Sequence, residues 1–270
     1  MPQSRTLLLY LLLLASAVEV SQACEKTVRW ANDPPYDIPD ATQQVRGATS
    51  DLMREVLGRM GCKPRFVELP WARGLHNLKK GSLDILPGAL ITPERETFAY
   101  FSQPIHRSPN VLFMSRDAAR RFAFNSLGQI SHSNFRLGIQ IDVTYSREYA
   151  ELIKQADFKA RTLPVSDRKG AWQMLSAGRL DGLIADEVTG LMELQQLGLN
   201  QRIVRSPLVV SEEPAVVAFS RKSLQPEFVE QFNAALAAVV ADGSYARITQ
   251  RYLPCTVAAV NLGCRVASSE

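Results

Sequence analysis

The chain has 270 residues, of which 46% are hydrophobic and 21% are charged, as in ordinary globular proteins. This composition excludes a disordered or collagen-like chain, and the length allows one large domain or two of ordinary size. The net charge is only +4 and is spread without a basic run, so we do not expect nucleic acid as a partner.

The first 23 residues have the pattern of a secretory signal. Arg5 precedes an apolar run from Leu7 to Ala15, which is shorter than the roughly 20 residues of a membrane-spanning helix. Small residues in the following segment allow cleavage after Ala17 or Ala23. We therefore predict export to an oxidising compartment.

The four cysteines are predicted to form disulfides, since an even number in an exported chain without C-x-x-C spacing favours bridges over metal binding. Cys24 and Cys62 each begin a strand-like segment, so two parallel neighbouring strands would bring them together. We favour this pairing together with Cys255–Cys264, and the other two connectivities stay open. Cys24 also follows a possible cleavage site, but Ser21 stands where a lipid-attachment motif normally has Leu, so we favour a chain without a lipid anchor.

From Thr27 onward, short β-branched segments alternate with helix-like segments, which indicates βαβ units around a mostly parallel sheet. The first unit is TVRWA, a helix within SDLMREVLGRMG, and RFVEL. Ser50 is the expected N-cap of this helix and Gly61 its stop. The second unit has a helix over residues 72–79, a stop at Gly81 and the strand LDILPG. Near the C-terminus, AVVAFSR is strand-like and the helix that follows is interrupted at Asp242-Gly243.

The pattern L-x-x-G-x-L-D occurs twice, beginning at Leu78 and at Leu175, each time between a helix and a strand. Either this is a common helix-to-strand junction, or the chain contains two similar α/β lobes. We predict two α/β lobes joined by two crossover strands, near residues 107–110 and 210–214. The expected boundaries are 1–23 for the signal, 24–109 for the first part of lobe 1, 110–210 for lobe 2, and 211–270 for the second part of lobe 1.

Three segments that follow strands carry the candidate site residues. In TPER, Thr92 is a good N-cap and Arg95 lies near the helix start, where a guanidinium would receive a carboxylate or phosphate. Asp186 ends a buried strand, where an acid is placed to meet a cation, although Asp is also a common N-cap. Asp33 and Tyr36 follow the first strand, and Trp71 precedes Arg73 after another. Each of these segments also has a purely structural interpretation, as a helix start, a cap or a core aromatic.

Other chemistry has little support in the sequence. His76, His106 and His132 show no metal-binding spacing, and G-x-S-x-G, P-loop and G-x-G-x-x-G motifs are absent. We therefore predict no metal, no cofactor and no catalytic residue.

Several segments together resemble the bacterial periplasmic solute-binding proteins of the polar amino acid uptake type, which are solute-binding protein family 3 with the type II periplasmic binding fold. The resemblance extends from about Thr27 to Leu253. It rests on VRWANDPPYDIP, LKKGSLDILPGALITPERETFAYFSQPI, LGIQIDVTY, AGRLDGLIADEV and DGSYARITQRYL.

The resemblance implies two lobes that close on a ligand. It implies that Arg95 binds the ligand α-carboxylate and that Asp186 binds its α-ammonium group. The implied aromatic clamp is Tyr36 and Trp71, with Asp33 near the ligand side chain. Thr144 helps to bind the carboxylate from the second lobe. Gly88 and backbone groups stand in for hydroxyl contacts that this chain lacks.

The sequence departs from the family pattern at Leu90, where a small hydroxyl residue is common, and at Asp142 and Val143, where Gly and Ser are common. Side-chain specificity therefore does not transfer. Asp33 would suit a cationic ligand side chain unless Arg73 neutralises it.

The leading hypothesis is a monomeric periplasmic receptor that binds a free amino acid or close relative and delivers it to an inner-membrane ABC permease. One alternative is an enzyme similar to periplasmic cyclohexadienyl dehydratases, with Asp186 or Glu187 as an acid. Another is a sensing or partner-docking protein without a permease.

Overall fold

The computed structural model describes residues 24–40, 42, 44–253 and 262. The predicted signal segment and the predicted Cys255–Cys264 pair lie outside the described residues. The strands in chain order are β1 (Cys24–Trp30), β2 (Ile38–Pro39), β3 (Val45–Arg46), β4 (Cys62–Glu68), β5 (Ile85–Ala89), β6 (Ala99–Phe101), β7 (Asn110–Ser115), β8 (Leu137–Gln140), β9 (Thr162–Val165), β10 (Gly182–Asp186), β11 (Ile203–Ser211) and β12 (Val216–Ser220).

The helices flank these strands and connect them. They are α1 (Ala48–Arg59), α2 (Trp71–Lys80), α3 (Pro93–Glu96), α4 (Arg116–Arg121), a 3₁₀ helix (Leu127–His132), α5 (Arg147–Leu152), α6 (Ala156–Lys159), α7 (Arg168–Ser176), α8 (Glu187–Gln196), α9 (Pro226–Ala241) and α10 (Ser244–Thr249). Among the described residues, no helix is long and apolar enough to cross a membrane.

Two five-stranded sheets have the same plan, with strand orders β4-β1-β5-β12-β6 and β9-β8-β10-β7-β11. In each sheet the first three strands are parallel and the fourth and fifth run antiparallel to their neighbours. The prediction of two α/β lobes is therefore confirmed. The chain passes from the first sheet to the second through residues 102–109 and returns through residues 212–215, and the two crossings meet at a bridge between His106 and Ala215.

The repeated sequence pattern has the same structural role in both lobes. Asp84 accepts a hydrogen bond from the backbone N–H of Thr27 in β1, and Asp181 accepts one from the N–H of Arg136 just before β8, at 2.8 and 2.9 Å. The backbone carbonyls of the same two aspartates each accept a bond from the antiparallel neighbour strand. Each aspartate therefore fixes the start of a parallel strand, and the repeat is structural rather than coincidental.

Helix α1 begins two residues earlier than its expected cap. Ser50 lies buried inside the first turn and the N-cap is Gly47, so the predicted Ser50 cap is wrong. The first helical N–H groups of Ala48 and Thr49 instead donate to the carbonyls of Pro35 and Tyr36. Gly47 has φ of 136°, and a Cβ there would lie 2.2 Å from the Tyr36 carbonyl oxygen. Only glycine therefore permits this contact, which ties the segment after β1 to the start of α1.

The other helix ends follow the sequence signals. Gly81 ends α2 in the left-handed conformation, and the chain breaks between α9 and α10 at Asp242-Gly243, as predicted. The apolar stripe of α9 packs into the core of lobe 1 through Phe232, Leu236 and Val239.

The predicted Cys24–Cys62 disulfide is confirmed. The two cysteines are direct partners in the parallel pair of β1 and β4, and their sulfurs are bonded. The sulfur of Cys24 is therefore not free to carry a lipid.

Candidate functional site

A cavity lies between the two lobes, at the carboxyl ends of parallel strands from both sheets. These strands are β1, β4 and β5 in lobe 1 and β8, β9 and β10 in lobe 2. All seven residues predicted to bind a ligand line this cavity: Asp33, Tyr36, Trp71, Gly88, Arg95, Thr144 and Asp186. The carboxyl ends of parallel strands are where open α/β sheets bind ligands, because the connecting segments diverge there.

Arg95 is a buried guanidinium at the lobe 1 side of the cavity. Thr92 caps helix α3 by accepting from the Arg95 N–H, as predicted, and this cap fixes the backbone that carries the guanidinium. The guanidinium donates to the carbonyls of Leu90 at 2.9 Å and Asp142 at 3.3 Å. Within the described part of the chain no carboxylate forms an ion pair with it, and burial lowers its pKa. It is therefore a buried cation suited to an external carboxylate.

Asp186 ends β10 on the lobe 2 side of the cavity. One of its carboxylate oxygens, Oδ1, accepts from the N–H of Thr189, so the residue caps helix α8 as one interpretation predicted. The same carboxyl group lines the cavity, and burial raises its pKa to about 6. Asp186 is thus both a cap and an acid that faces the cavity, and at neutral pH it is ionised.

The two aromatic rings of the predicted clamp already have partners. The Trp71 ring packs against the guanidinium groups of Arg29 and Arg95, at 5.4 and 5.5 Å from their central carbons. The Tyr36 ring stacks on His106 with centroids 4.4 Å apart. The rings therefore form parts of the cavity wall that are held in place by the protein itself.

The smaller predicted residues lie at or near positive φ angles, Gly88 within strand β5 and Thr144 just after a turn. Gly88 has φ of 81° at a place where a Cβ would meet no atom within 4 Å, so the backbone angle rather than space favours glycine. Thr144 follows a turn in which Asp142 has φ of 60°, in the left-handed region. Glycine is common in such turns because it adopts this region without strain, and Asp tolerates it better than most residues.

The Asp142 turn also joins the lobes. Its backbone carbonyl accepts from the Trp71 indole N–H at 3.0 Å and from Arg95. Both donors belong to lobe 1 and the acceptor belongs to lobe 2.

An ion pair that the sequence did not predict also crosses the cavity. Arg168, at the start of α7 in lobe 2, donates to Asp33 of lobe 1 at 2.6 Å. Of the two possibilities left open for Asp33, neutralisation by Arg73 is not the one realised, because Arg73 is exposed and Arg168 makes the pair. Burial alone would lower the pKa of Arg168, but the carboxylates of Asp33 and Glu193 raise it overall.

Two further buried polar groups in the cavity wall were missed by sequence reasoning. Oδ1 of Asp37 and Oγ of Ser108 are buried without a hydrogen-bond partner in the structure. Burial, aided by the neighbouring carboxylate of Asp33, raises the pKa of Asp37 to about 8. Buried polar atoms without partners are uncommon.

A local signal for Arg168 is present in the sequence. Val165 ends a strand, Asp167 caps a helix by accepting from the N–H of Gly170, and Arg168 follows directly. This strand, cap and arginine order is the one that identifies Arg95. No comparable signal marks Asp37 or Ser108, whose burial depends on packing between segments distant in the chain.

The described residues contain no group of three or more His, Cys, Asp or Glu side chains placed to hold a metal ion.

The cavity between two lobes is consistent with the proteins that this chain is similar to. The sequence profile of the bacterial extracellular solute-binding proteins, family 3, matches residues 27–254. The chain belongs to this family. It is 26% identical over 229 residues to the ABC transporter arginine-binding protein 1 of Escherichia coli strain K12, with 83% of this chain and 88% of the relative covered.

Two other similarities point to the same fold. The sensor protein EvgS of Escherichia coli O157:H7 is 22% identical over 223 residues, which cover 82% of this chain but only 17% of the sensor. A solved structure of an ancestral arginine-binding protein bound to arginine superimposes on this chain with a TM-score of 0.73 at 22% identity. The superposition covers 86% of this chain and 98% of the ancestral chain.

Proposed function

We propose that the protein is a periplasmic receptor that binds a free amino acid, or a close relative of one, between its lobes and delivers it to an inner-membrane ABC permease. The observation that carries the proposal is the pair formed by Arg95 and Asp186. These residues line one cavity from opposite lobes, the first as a buried cation held by carbonyls and the second as an acid. We also propose the lobe boundaries 24–109, 110–210 and 211–270.

In this proposal Arg95 donates to the ligand α-carboxylate, and Asp186 accepts from its α-ammonium group. A guanidinium–carboxylate contact is shorter and stronger than a contact to a carbonyl, so the ligand carboxylate replaces carbonyl partners of Arg95. Because the two charges belong to different lobes, a zwitterion contacts both only when the lobes are together. Ligand binding therefore favours the closed arrangement.

The relatives support this proposal at the level of ligand class. The Escherichia coli relative is named for an ABC transporter and for arginine, and the ancestral protein of the same fold was solved with arginine bound. These names support a free amino acid as the ligand and a permease as the partner, and they support a binding protein over an enzyme.

A thermal-shift screen of the mature, oxidised protein against the common amino acids tests the proposal. A ligand at about 100 times its Kd stabilises the protein by about 2.7 kcal/mol, which is readily measured. We expect at least one hit that is lost in Arg95→Gln and in Asp186→Asn. Arg120→Gln is the matched control, because Arg120 does not line the cavity and, among the described residues, its ion pair is an exposed one with Asp117. Hits that persist in both site variants would refute the site, and no hit at all would refute the function.

A sensing role is the second candidate, favoured by the match to EvgS, a sensor protein. A receptor for transport restores uptake of its ligand when returned to a deletion strain, whereas a sensor changes gene expression without changing uptake. The dehydratase alternative predicts release of phenylpyruvate from prephenate by the purified protein, and we expect none.

A further inference from the structure

We propose that Arg168 fills the place of a cationic ligand side chain, so that the receptor selects amino acids with uncharged side chains over arginine and lysine. This inference rests on the proposed function, and it names the ligand class within it. It runs against the names of the relatives, which point to arginine.

Arg168 is held by carboxylates from both lobes. Its guanidinium donates two hydrogen bonds to the carboxylate of Glu193, at 2.8 and 2.9 Å. The same carboxylate also accepts from the indole N–H of Trp172. The side chains of Arg168 and Glu193 are each only 13% exposed. The guanidinium also donates across the cavity to the carboxylate of Asp33. The carboxylate of Asp33 is therefore already occupied by a guanidinium of the protein.

Few other acids are placed to receive a cationic side chain once Arg95 and Asp186 hold the ligand backbone. The remaining acids of the cavity wall are Asp37 and Glu213. Asp37 is 6% exposed, and burial raises its pKa to about 8, so it is mostly protonated at neutral pH. Glu213 lies partly exposed on the return crossover.

The buried carboxylates of the cavity are already engaged. With Asp37 neutral, Asp33 and Glu193 pair with Arg168, and Asp186 receives the ligand α-ammonium group in the proposed function. A zwitterion with an uncharged side chain needs no further acid. A cationic side chain adds a charge that has no free buried partner, which is costly in a desolvated site.

The test is the ratio of two dissociation constants measured by calorimetry at pH 7, for arginine and for the tightest uncharged amino acid. We expect wild type to favour the uncharged ligand by about tenfold or more, since one unmatched charge costs at least 1.4 kcal/mol. Arg168→Gln frees Asp33, so the ratio should shift toward arginine by about tenfold. Adding Asp33→Asn to Arg168→Gln should cancel the shift, and Arg120→Gln should leave the ratio unchanged.

Asp33→Asn alone covers the case in which Arg168→Gln fails to fold because Glu193 is left buried without its partner. This variant keeps the pair of Arg168 with Glu193 but removes the carboxylate that Arg168 contacts across the cavity. We expect glutamate to gain affinity relative to glutamine. A wild-type preference for arginine or lysine, or ratios that none of these variants changes, would overturn the inference while leaving an amino acid receptor intact. Absence of any amino acid binding would overturn the proposed function together with it.

Discussion

Replacing Arg95 by Lys and by Gln should weaken ligand binding in two distinct steps. The guanidinium has five N–H donors, of which the structure uses one for the Leu90 carbonyl and one for the Asp142 carbonyl. A ligand carboxylate that replaces these carbonyls meets the planar fork at two points. Lysine keeps the charge but loses the planar fork, so it should lose one charge-assisted hydrogen bond, about 1.5–3 kcal/mol. This corresponds to a Kd about 10- to 150-fold higher.

Glutamine removes the charge as well. Loss of one partner of a buried charge pair costs about 2–5 kcal/mol, or about 30- to 5000-fold in Kd. Calorimetry with the ligand from the screen should therefore order the proteins as wild type, Arg95→Lys and Arg95→Gln, with displacement titration for the weakest binder.

Thermal unfolding without ligand separates binding from folding. Because Arg95 is a buried cation without a carboxylate partner among the described residues, its removal should leave the melting temperature unchanged or raise it. Equal affinities of Arg95→Gln and wild type would refute the carboxylate contact. A large fall in the melting temperature of Arg95→Gln would instead show that its bonds to carbonyls hold the lobes together.

Three further predictions concern the disulfide, the pH dependence of binding and the lobe contact. Replacing Cys24 and Cys62 together by Ala should lower the free energy of unfolding in urea by about 4 kcal/mol, given the sequence separation of 38 residues; a loss below about 1 kcal/mol would contradict this loop-entropy argument. Ligand affinity should fall about tenfold per pH unit below pH 6, because the pKa of Asp186 is raised to about 6 and the ammonium group of the ligand pairs with its ionised form. Constant affinity in calorimetry from pH 4.5 to 8 would exclude this role of Asp186. Trp71→Phe keeps an aromatic ring but removes the hydrogen bond to the Asp142 carbonyl. The Kd should therefore rise about 2- to 13-fold through weaker closure of the lobes. An unchanged Kd in calorimetry would show that this bond does not contribute to closure.

Local chemistry explains which parts of the structure could be read from the sequence. The cap that precedes Arg95 depends on residues within a few positions. Asp84 and Asp181 bond to segments 57 and 45 residues away, but the repeat that carries them is a local pattern at a helix-to-strand junction. The Cys24–Cys62 bond was accessible because both residues begin parallel strands. In each case the signal that predicted the feature lies within an element or at its ends.

The errors occur where distant segments supply the missing partner. The Ser50 cap failed because the segment ending in Tyr36 provides carbonyls for the first helical N–H groups, an arrangement that Gly47 permits. The possible pairing of Asp33 with Arg73 is not realised because the true partner, Arg168, is 135 residues away in the other lobe. A contact between lobes depends on how the two sheets face each other, which no short pattern specifies.

The two arginines that reach across the cavity differ in what they are bonded to, and this difference separates their roles. Arg95 donates to backbone carbonyls, and a ligand carboxylate is a stronger acceptor than a carbonyl. Arg168 donates to two carboxylates, Asp33 and Glu193, so an incoming ligand offers it no better partner. The first guanidinium is therefore free to exchange its partners for a ligand, whereas the second is a fixed part of the wall. In the proposed receptor, a ligand is thus recognised through its carboxylate at Arg95 and limited in its side chain at Arg168.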